Sequence, residues 1–244
     1  MLRVIPSGTI LPILSGPLRG TSWIVGAGTN GCWIGTYERD KQQVFTDAAT
    51  AGATVFDVGA NVGFYTLLAA RCVGKDGFVH CFEPFPENLR TLRQHLELNP
   101  CQNVTVHEAA VSDRSGTYRF ASGDCPETGK LDEHGDVEVQ VIQIDEETSS
   151  GRIPYPDVVK IDVEGAESKV LLGARETLLS RQPILLVAIH GSSMLREVQA
   201  IIKDFRYEVE VESSKAPGMY EIYARPQKHR PSTMSPLTTD VQRR

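Results

Sequence analysis

The chain has 244 residues, of which 41% are hydrophobic and 23% charged, and its formal net charge is −6. That length suits one sizeable α/β domain and is short for two, and the negative balance excludes a general electrostatic attraction to a polyanion, so no nucleic-acid partner is expected. The five cysteines (Cys32, Cys72, Cys81, Cys101, Cys125) are odd in number and never spaced CxxC, which excludes a disulfide framework and a structural zinc site as starting readings.

The first 50 residues are rich in glycine. The opening MLRVIPSGTILPILSGPLRG is apolar in patches, but Pro6, Gly8, Pro12 and Gly16 break it, and it has no signal-peptide core or small-residue cleavage pattern. No run of about 18 apolar residues occurs, so no membrane span is expected and the protein is placed in the cytoplasm. Thr21 to Val25 reads as a β-run, and a helix is expected from Asp40 to Ala51. Residues 1–50 are too few to bury much alone and read as a flank or lid.

Strands and helices then alternate. Thr54–Asp57 is a β-run, Val62–Cys72 helical, Phe78–Glu83 β, and Pro86–Leu98 helical, with Pro86 and Glu87 suited to a first turn. Val104–Ala110 reads as a third strand. Residues 117–121 and 137–144 alternate like an excursion or edge hairpin. Asp157–Asp162 is a further strand, followed by a helix from about Glu164 to Leu179. ILLVAIH, ending at His190, is a continuous apolar run typical of a strand covered on both faces. A helix from Ser193 to Asp204 and β-runs at Tyr207–Val211 and Met219–Ala224 complete the pattern. The expected fold is α/β, a mostly parallel sheet with helices on both faces and an antiparallel edge hairpin, filling residues 51–225. The tail, 226–244, is polar and proline-interrupted and is expected to be disordered.

In open parallel sheets, ligands bind beyond the carboxyl ends of the strands. Here those ends carry Asp57, Glu83, Asp162 and His190. One charged strand end is ordinary solvation; four at one edge point to a shared site. The segment VFDVGANVGF runs from the first strand into a helix, with Gly59 and Gly63 permitting a tight turn and close approach of a ligand. Glu83 follows Asp57 by 26 residues, near the spacing at which an acid grips ribose hydroxyls. The loop lacks GxGxxG spacing, and Asp57 would repel a pyrophosphate. An acid there suits a cationic ligand end, such as the ammonium and sulfonium of S-adenosylmethionine.

The segments GTYE (35–38), VFDVGANVGFYTLLAA (55–70), CFEPFPENLRTL (81–92), AAVSD (109–113) and VKIDVEGAESKVLLGA (159–174) resemble the FkbM family of S-adenosylmethionine-dependent methyltransferases, from about Leu14 to Ala224. The resemblance implies a class I, Rossmann-like seven-stranded fold and methyl transfer to a hydroxyl of a sugar, glycan or natural product. It makes Asp57, Gly59, Ala60, Asn61 and Gly63 the cofactor loop, with Glu83 on the ribose and Pro84 or Phe85 beside it. Ser112 and Asp113 would meet the adenine edge. Tyr37 and Glu38 would fold over the methionine end or form a structural turn. Family members commonly carry a glutamate two residues before the histidine; Ala188 stands there in this chain.

An alcohol is a poor nucleophile, so a base is needed. His190 is the candidate, since an ordinary imidazole titrates near pH 6.5; the alternative is a hydrogen-bonded structural histidine. Asp162 would orient it or contact the acceptor. Glu164 is either a favourable charge at a helix N-terminus or a substrate contact. Asp162, Glu164 and His190 could also hold a divalent cation, although no metal-ligand set is assigned. Lys160 reads as half of an ion pair, and Ala166, Val170 and Ala174 as packing. The expected partner is a small-molecule or glycan acceptor, bound by the first 50 residues, the 121–136 segment and the loop around Gly191. Two other classes stay open: a nicotinamide oxidoreductase, and a non-catalytic relative that only binds the cofactor.

Overall fold

The computed structural model describes residues 5–121, 130–131, 137–213 and 218–227. Cys125, most of the 121–136 segment and the tail beyond residue 227 lie outside the described residues, so the expectations placed on them have no structural counterpart here. The chain opens with a short antiparallel pair, β1 (Ile10–Pro12) and β2 (Ser22–Ile24), and helices α1 (Asn30–Ile34) and α2 (Arg39–Ala48). Strands β3 (Thr54–Val58), β4 (Phe78–Phe82) and β5 (Val104–His107) follow, with α3 (Phe64–Val73) and α4 (Pro86–Leu98) between them. Strands β6 (Ala109–Val111), β7 (Gly116–Ala121), β8 (Lys130–Leu131) and β9 (Val137–Ile142) make a second sheet. The remaining elements are α5 (Ile144–Ser149), β10 (Val158–Ile161), α6 (Glu167–Leu172), α7 (Arg175–Arg181), β11 (Ile184–His190), α8 (Ser192–Asp204), β12 (Tyr207–Ser213) and β13 (Met219–Pro226).

The main sheet has seven strands in the order β12-β13-β11-β10-β3-β4-β5. The five strands from β11 to β5 run parallel, β13 adds antiparallel to β11, and β12 pairs antiparallel with β13. Strand order reverses between β3 and β10. At such a switch point the two outgoing loops diverge and leave a crevice. Side chains alternate across the sheet, so each strand feeds two cores. Phe56, Phe82, Val159, Leu185 and Val187 pack on one face with α6 and α8; Val55, Val79 and Val158 pack on the other with α3 and the N-terminal flank. This double burial is why ILLVAIH reads as an uninterrupted apolar run.

The flank is fastened to α4 by side chains that imitate a strand. Asn99 accepts from the Ser22 backbone N–H through Oδ1 (2.8 Å) and donates to the Ser22 carbonyl through Nδ2 (2.8 Å). Trp23, fully buried, stacks on His95 with ring centroids 3.9 Å apart.

Three expected elements differ. The third strand leaves the main sheet after His107: Ala109–Val111 pairs instead with β9. The helix expected over Glu164–Leu179 is two helices broken around Gly173, where a Cβ would lie 1.9 Å from the Ser112 carbonyl oxygen. The helix expected to reach Ala51 ends at Ala48.

Candidate active site

A cavity of about 210 Å³ opens where β3, β4 and β10 end, with α1 and Tyr37 of the flank on its far wall. Its floor is the β3–α3 loop. Gly59 has φ 81°, and a Cβ there would stand 1.8 Å from the carbonyl oxygen of Asp162. Both Gly59 and Ala60 donate their N–H to the Phe82 carbonyl, each at 3.0 Å. The neighbouring strands therefore dictate the glycine before any ligand does. Asn61 is also left-handed, with φ 51°. Gly59, Ala60 and Asn61 line the cavity. Gly63 does not: it caps α3 at φ 93° against Leu92.

Glu83 reaches the cavity wall with its carboxylate already aimed. Oε2 accepts from the Asn61 N–H (2.8 Å), and Oε1 accepts from the Phe85 N–H (2.9 Å) and from Asn88 Nδ2 (3.2 Å). A carboxylate offers about four lone-pair positions, so roughly one is left for a ligand hydroxyl. Burial pushes the carboxyl above its ordinary value, against the pull of these hydrogen bonds. Pro84 lies beside it on the wall.

Asp57 is not on that wall. It is fully buried, accepts from Thr66 Oγ1 at 2.7 Å, and faces Lys160 Nζ at 3.4 Å from Oδ1. Asp57, expected against a cationic ligand end, sits behind the wall in this structure, and the cation it meets is Lys160. Oδ1 makes no hydrogen bond in that geometry, so the contact is ionic. Lys160, in turn, stands 3.6 Å from Asp162 Oδ2 and 4.9 Å over the Tyr65 ring, and both Lys160 and Asp162 reach the cavity. Burial alone would lower the Lys160 ammonium, but Asp57, Asp162 and Glu38 outweigh it and hold the group above its usual value. The ion-pair reading of Lys160 stands.

His190 ends β11 among three carboxylates. Nδ1 lies 3.1 Å from Glu167 Oε1, Nε2 lies 3.3 Å from Glu164 Oε2, and Asp162 Oδ1 is 4.0 Å from Nε2. The Glu167 hydrogen bond, opposed by burial and aided by Glu164 and Asp162, raises the imidazole to about 9. The carboxylates on both ring nitrogens favour the protonated ring, and His190 gives up a proton less readily than an ordinary imidazole. Asp162 and Glu164 line the cavity, whereas Glu167 is fully buried behind them. Glu164 has φ 53°, so the VEG turn folds its side chain back toward His190.

Tyr37 lies on the cavity wall, edge-on to Phe64 at 5.2 Å, but Glu38 does not reach it. The Glu38 carboxylate accepts from Lys41 Nζ (2.6 Å) and from the Tyr65 hydroxyl (3.0 Å). Lys41 also lies 2.5 Å from Glu221 Oε1, and Glu221 sits directly across the ladder from Ala188. An acid thus stands beside the position where Ala188 interrupts the family pattern, carried by the neighbouring strand. Burial, with Glu38 and Asp162 adding to it against Lys41, pushes the Glu221 carboxyl up to about 7.

Ser112 and Asp113, expected at the adenine edge, do not line the cavity. The wall beyond β4 is Ala109–Val111, while Ser112 is buried, donates to Asp113 Oδ1 at 3.1 Å, and backs onto Gly173. Sequence reasoning missed Glu167, Asn88 and Tyr65. For Asn88 the signal existed, since a residue in the first turn after Pro86 turns back toward a strand-end acid. Among the described residues no helix is long and apolar enough to cross a membrane.

The methyltransferase FkbM domain family matches residues 57–209. The chain is similar to the hexuronic acid methyltransferase AglP of Haloferax volcanii, with 28% identity over 176 residues covering 71% of each protein. It is similar to the 2-O-methyltransferase NoeI of Sinorhizobium fredii, with 30% identity over 144 residues, 51% of this chain and 58% of that one. In fold it resembles the crystal structure of methyltransferase FkbM from Methylobacillus flagellatus, with a TM-score of 0.55 at 18% identity, covering 81% of this chain and 55% of the other.

Proposed function

This chain belongs to the FkbM methyltransferase family, and we propose that it transfers a methyl group from S-adenosylmethionine to a hydroxyl of a sugar, glycan or related small acceptor. The observation that carries the reading is Glu83: a buried carboxylate at a strand end, held by three donors, with acceptor capacity remaining toward the cavity. That donor set fits a ribose hydroxyl. Lys160 and Asp162, side by side on the same wall, offer opposite charges to a zwitterionic amino-acid end. When bound, S-adenosylmethionine supplies a methyl carbon on a sulfonium leaving group.

The chain's own residues do the rest. The β3–α3 loop presents backbone against the ligand, and Tyr37 covers the cavity from the flank. Asp162 and Glu164 are the carboxylates on the cavity wall toward which the incoming hydroxyl and its proton would be directed. His190, locked by Glu167, holds Glu164 and Asp162 on the acceptor side. The named acceptors of the two relatives, a hexuronic acid and a 2-hydroxyl, support a sugar as the acceptor class. The net charge of −6 argues against a nucleic-acid acceptor.

Calorimetric titration with S-adenosylmethionine tests this. Saturable binding is expected, weakened about tenfold or more in Glu83→Ala, which is the loss of about 1.4 kcal/mol of hydrogen bonding. Radiolabelled methyl should then pass to a hexuronic acid glycoside. A wild-type chain that does not bind S-adenosylmethionine overturns the reading.

A further inference from the structure

We propose that Asp162, Glu164 and His190 form a divalent-cation site at the acceptor end of the cavity, with Glu167 as the carboxylate that fixes the histidine. The inference deepens the methyltransferase reading and rests on it for the cation's role, though not for the binding itself.

Three donor atoms, one from each residue, lie within 4.8 Å of one another. Two of the spacings, 3.3 Å from His190 Nε2 to Glu164 and 4.0 Å to Asp162, approach the roughly 3 Å that separates neighbouring ligands around a cation with bonds of about 2.1 Å. Two carboxylates and one imidazole suit manganese or magnesium, with open positions for water and acceptor oxygens.

Two further features of the surroundings favour a cation here. Glu167 is fully buried, contacts His190 through Oε1, and leaves Oε2 without a hydrogen-bond partner. A carboxylate behind the distal nitrogen of a histidine is the arrangement that orients a metal-bound imidazole. Then there is charge: Asp57, Asp162, Glu164 and Glu167 crowd around Lys160 and His190, so acids outnumber bases even with the imidazole protonated. A dication entering here takes the place of the Nε2 proton and removes part of that excess. Bound there, it would hold the acceptor hydroxyl on Asp162's side of the cavity and favour its alkoxide.

The test is a Mn²⁺ titration of the full chain, with free ion followed by electron paramagnetic resonance. The expected result is one ion per chain, displaced by excess Mg²⁺. Asp162→Asn and Glu164→Gln should each weaken binding at least tenfold while melting as wild type does. Glu167→Gln should weaken it about 10-fold with stoichiometry unchanged. S-adenosylmethionine binding is measured on the same samples by calorimetry. Binding of that compound without any Mn²⁺ uptake overturns the cation site alone. Mn²⁺ uptake without it leaves the site standing and overturns the methyltransferase cofactor reading. Uptake that is indifferent to Asp162→Asn and Glu164→Gln also overturns the site.

Discussion

Lys160 and Asp57 face each other on adjacent parallel strands, in register, with Nζ 3.4 Å from Oδ1 and no water-exposed surface on the acid. Asp57 lies behind the cavity wall that Lys160 reaches, and Lys160 also pairs with Asp162 at 3.6 Å. One buried ion pair thus sets the position of a residue at the reacting end.

Removing the cation should be costly. Lys160→Met leaves Asp57 buried without its counter-charge, a loss of about 3–5 kcal/mol, or roughly 10 °C in Tm for a chain of this size. The double variant Asp57→Asn with Lys160→Met should regain part of it. Thermal melts followed by circular dichroism decide: a single variant as stable as wild type would mean the pair holds nothing.

Two glycines with similar backbone angles should respond differently to alanine. At Gly59 (φ 81°) an added methyl would stand 1.8 Å from the Asp162 carbonyl oxygen, whereas at Gly165 (φ 102°) it would meet nothing within 4 Å. Gly165→Ala should lose only the left-handed strain, about 1–2 kcal/mol. Gly59→Ala should lose more, because β3 and β10 must separate. Urea midpoints compare them directly, and equal losses would refute the steric account.

Acid should loosen the flank. The Ile24 N–H donates to His95 Nε2 at 3.1 Å, so the ring proton resides on Nδ1 and is donated to the Val62 carbonyl at 2.8 Å. Burial lowers the His95 imidazole below 6.5, although the Val62 bond opposes it. The unfolded chain therefore takes up this proton first. Stability from this group is complete above about pH 6.5 and drains away as pH falls through the lower folded value. His80, pushed down to about 4 by burial and His107, and His107 itself, lowered by burial, act in the same direction. Glu221 and His190, whose folded values are raised, act in the opposite direction, so the His95 contribution is read as the difference between variant and wild-type Tm from pH 7.5 to 5. His95→Gln should start lower but fall less steeply, and parallel curves for the two proteins would contradict the assignment.

Much of the fold is legible in the sequence because its causes are local. The helix Pro86–Leu98 carries its own start signal, a proline and an acid in the first turn, and the sheet's apolar runs declare their burial. Where distant backbone intervenes, local pattern fails. Gly173 looks like an interior helix residue until the Ser112 carbonyl is seen against it. Val104 to Ala110 looks like one strand because nothing in its composition records that Ala109 pairs with Gln140. The same departure carries Ser112 and Asp113 away from the main sheet. Periodicity finds the strand-end acids but not which of them faces the cavity, since Asp57 and Glu83 differ only in what lies across from them. The charge on His190 depends on Glu167, a residue that reads in sequence as an ordinary first-turn acid.

The edge of the sheet sets a limit on how this protein can be cut. The family match ends at residue 209, yet β13 (Met219–Pro226) is inserted between β11 and β12 and is the strand through which β12 joins the sheet. A chain shortened to 57–209 would bare the ladder of Leu185–His190, an apolar rim open to pairing with any passing strand. It would also strip Trp23 and Ser22 from α4. The recognisable segment is therefore smaller than the unit that folds, and material trimmed to it should clump rather than stay in solution.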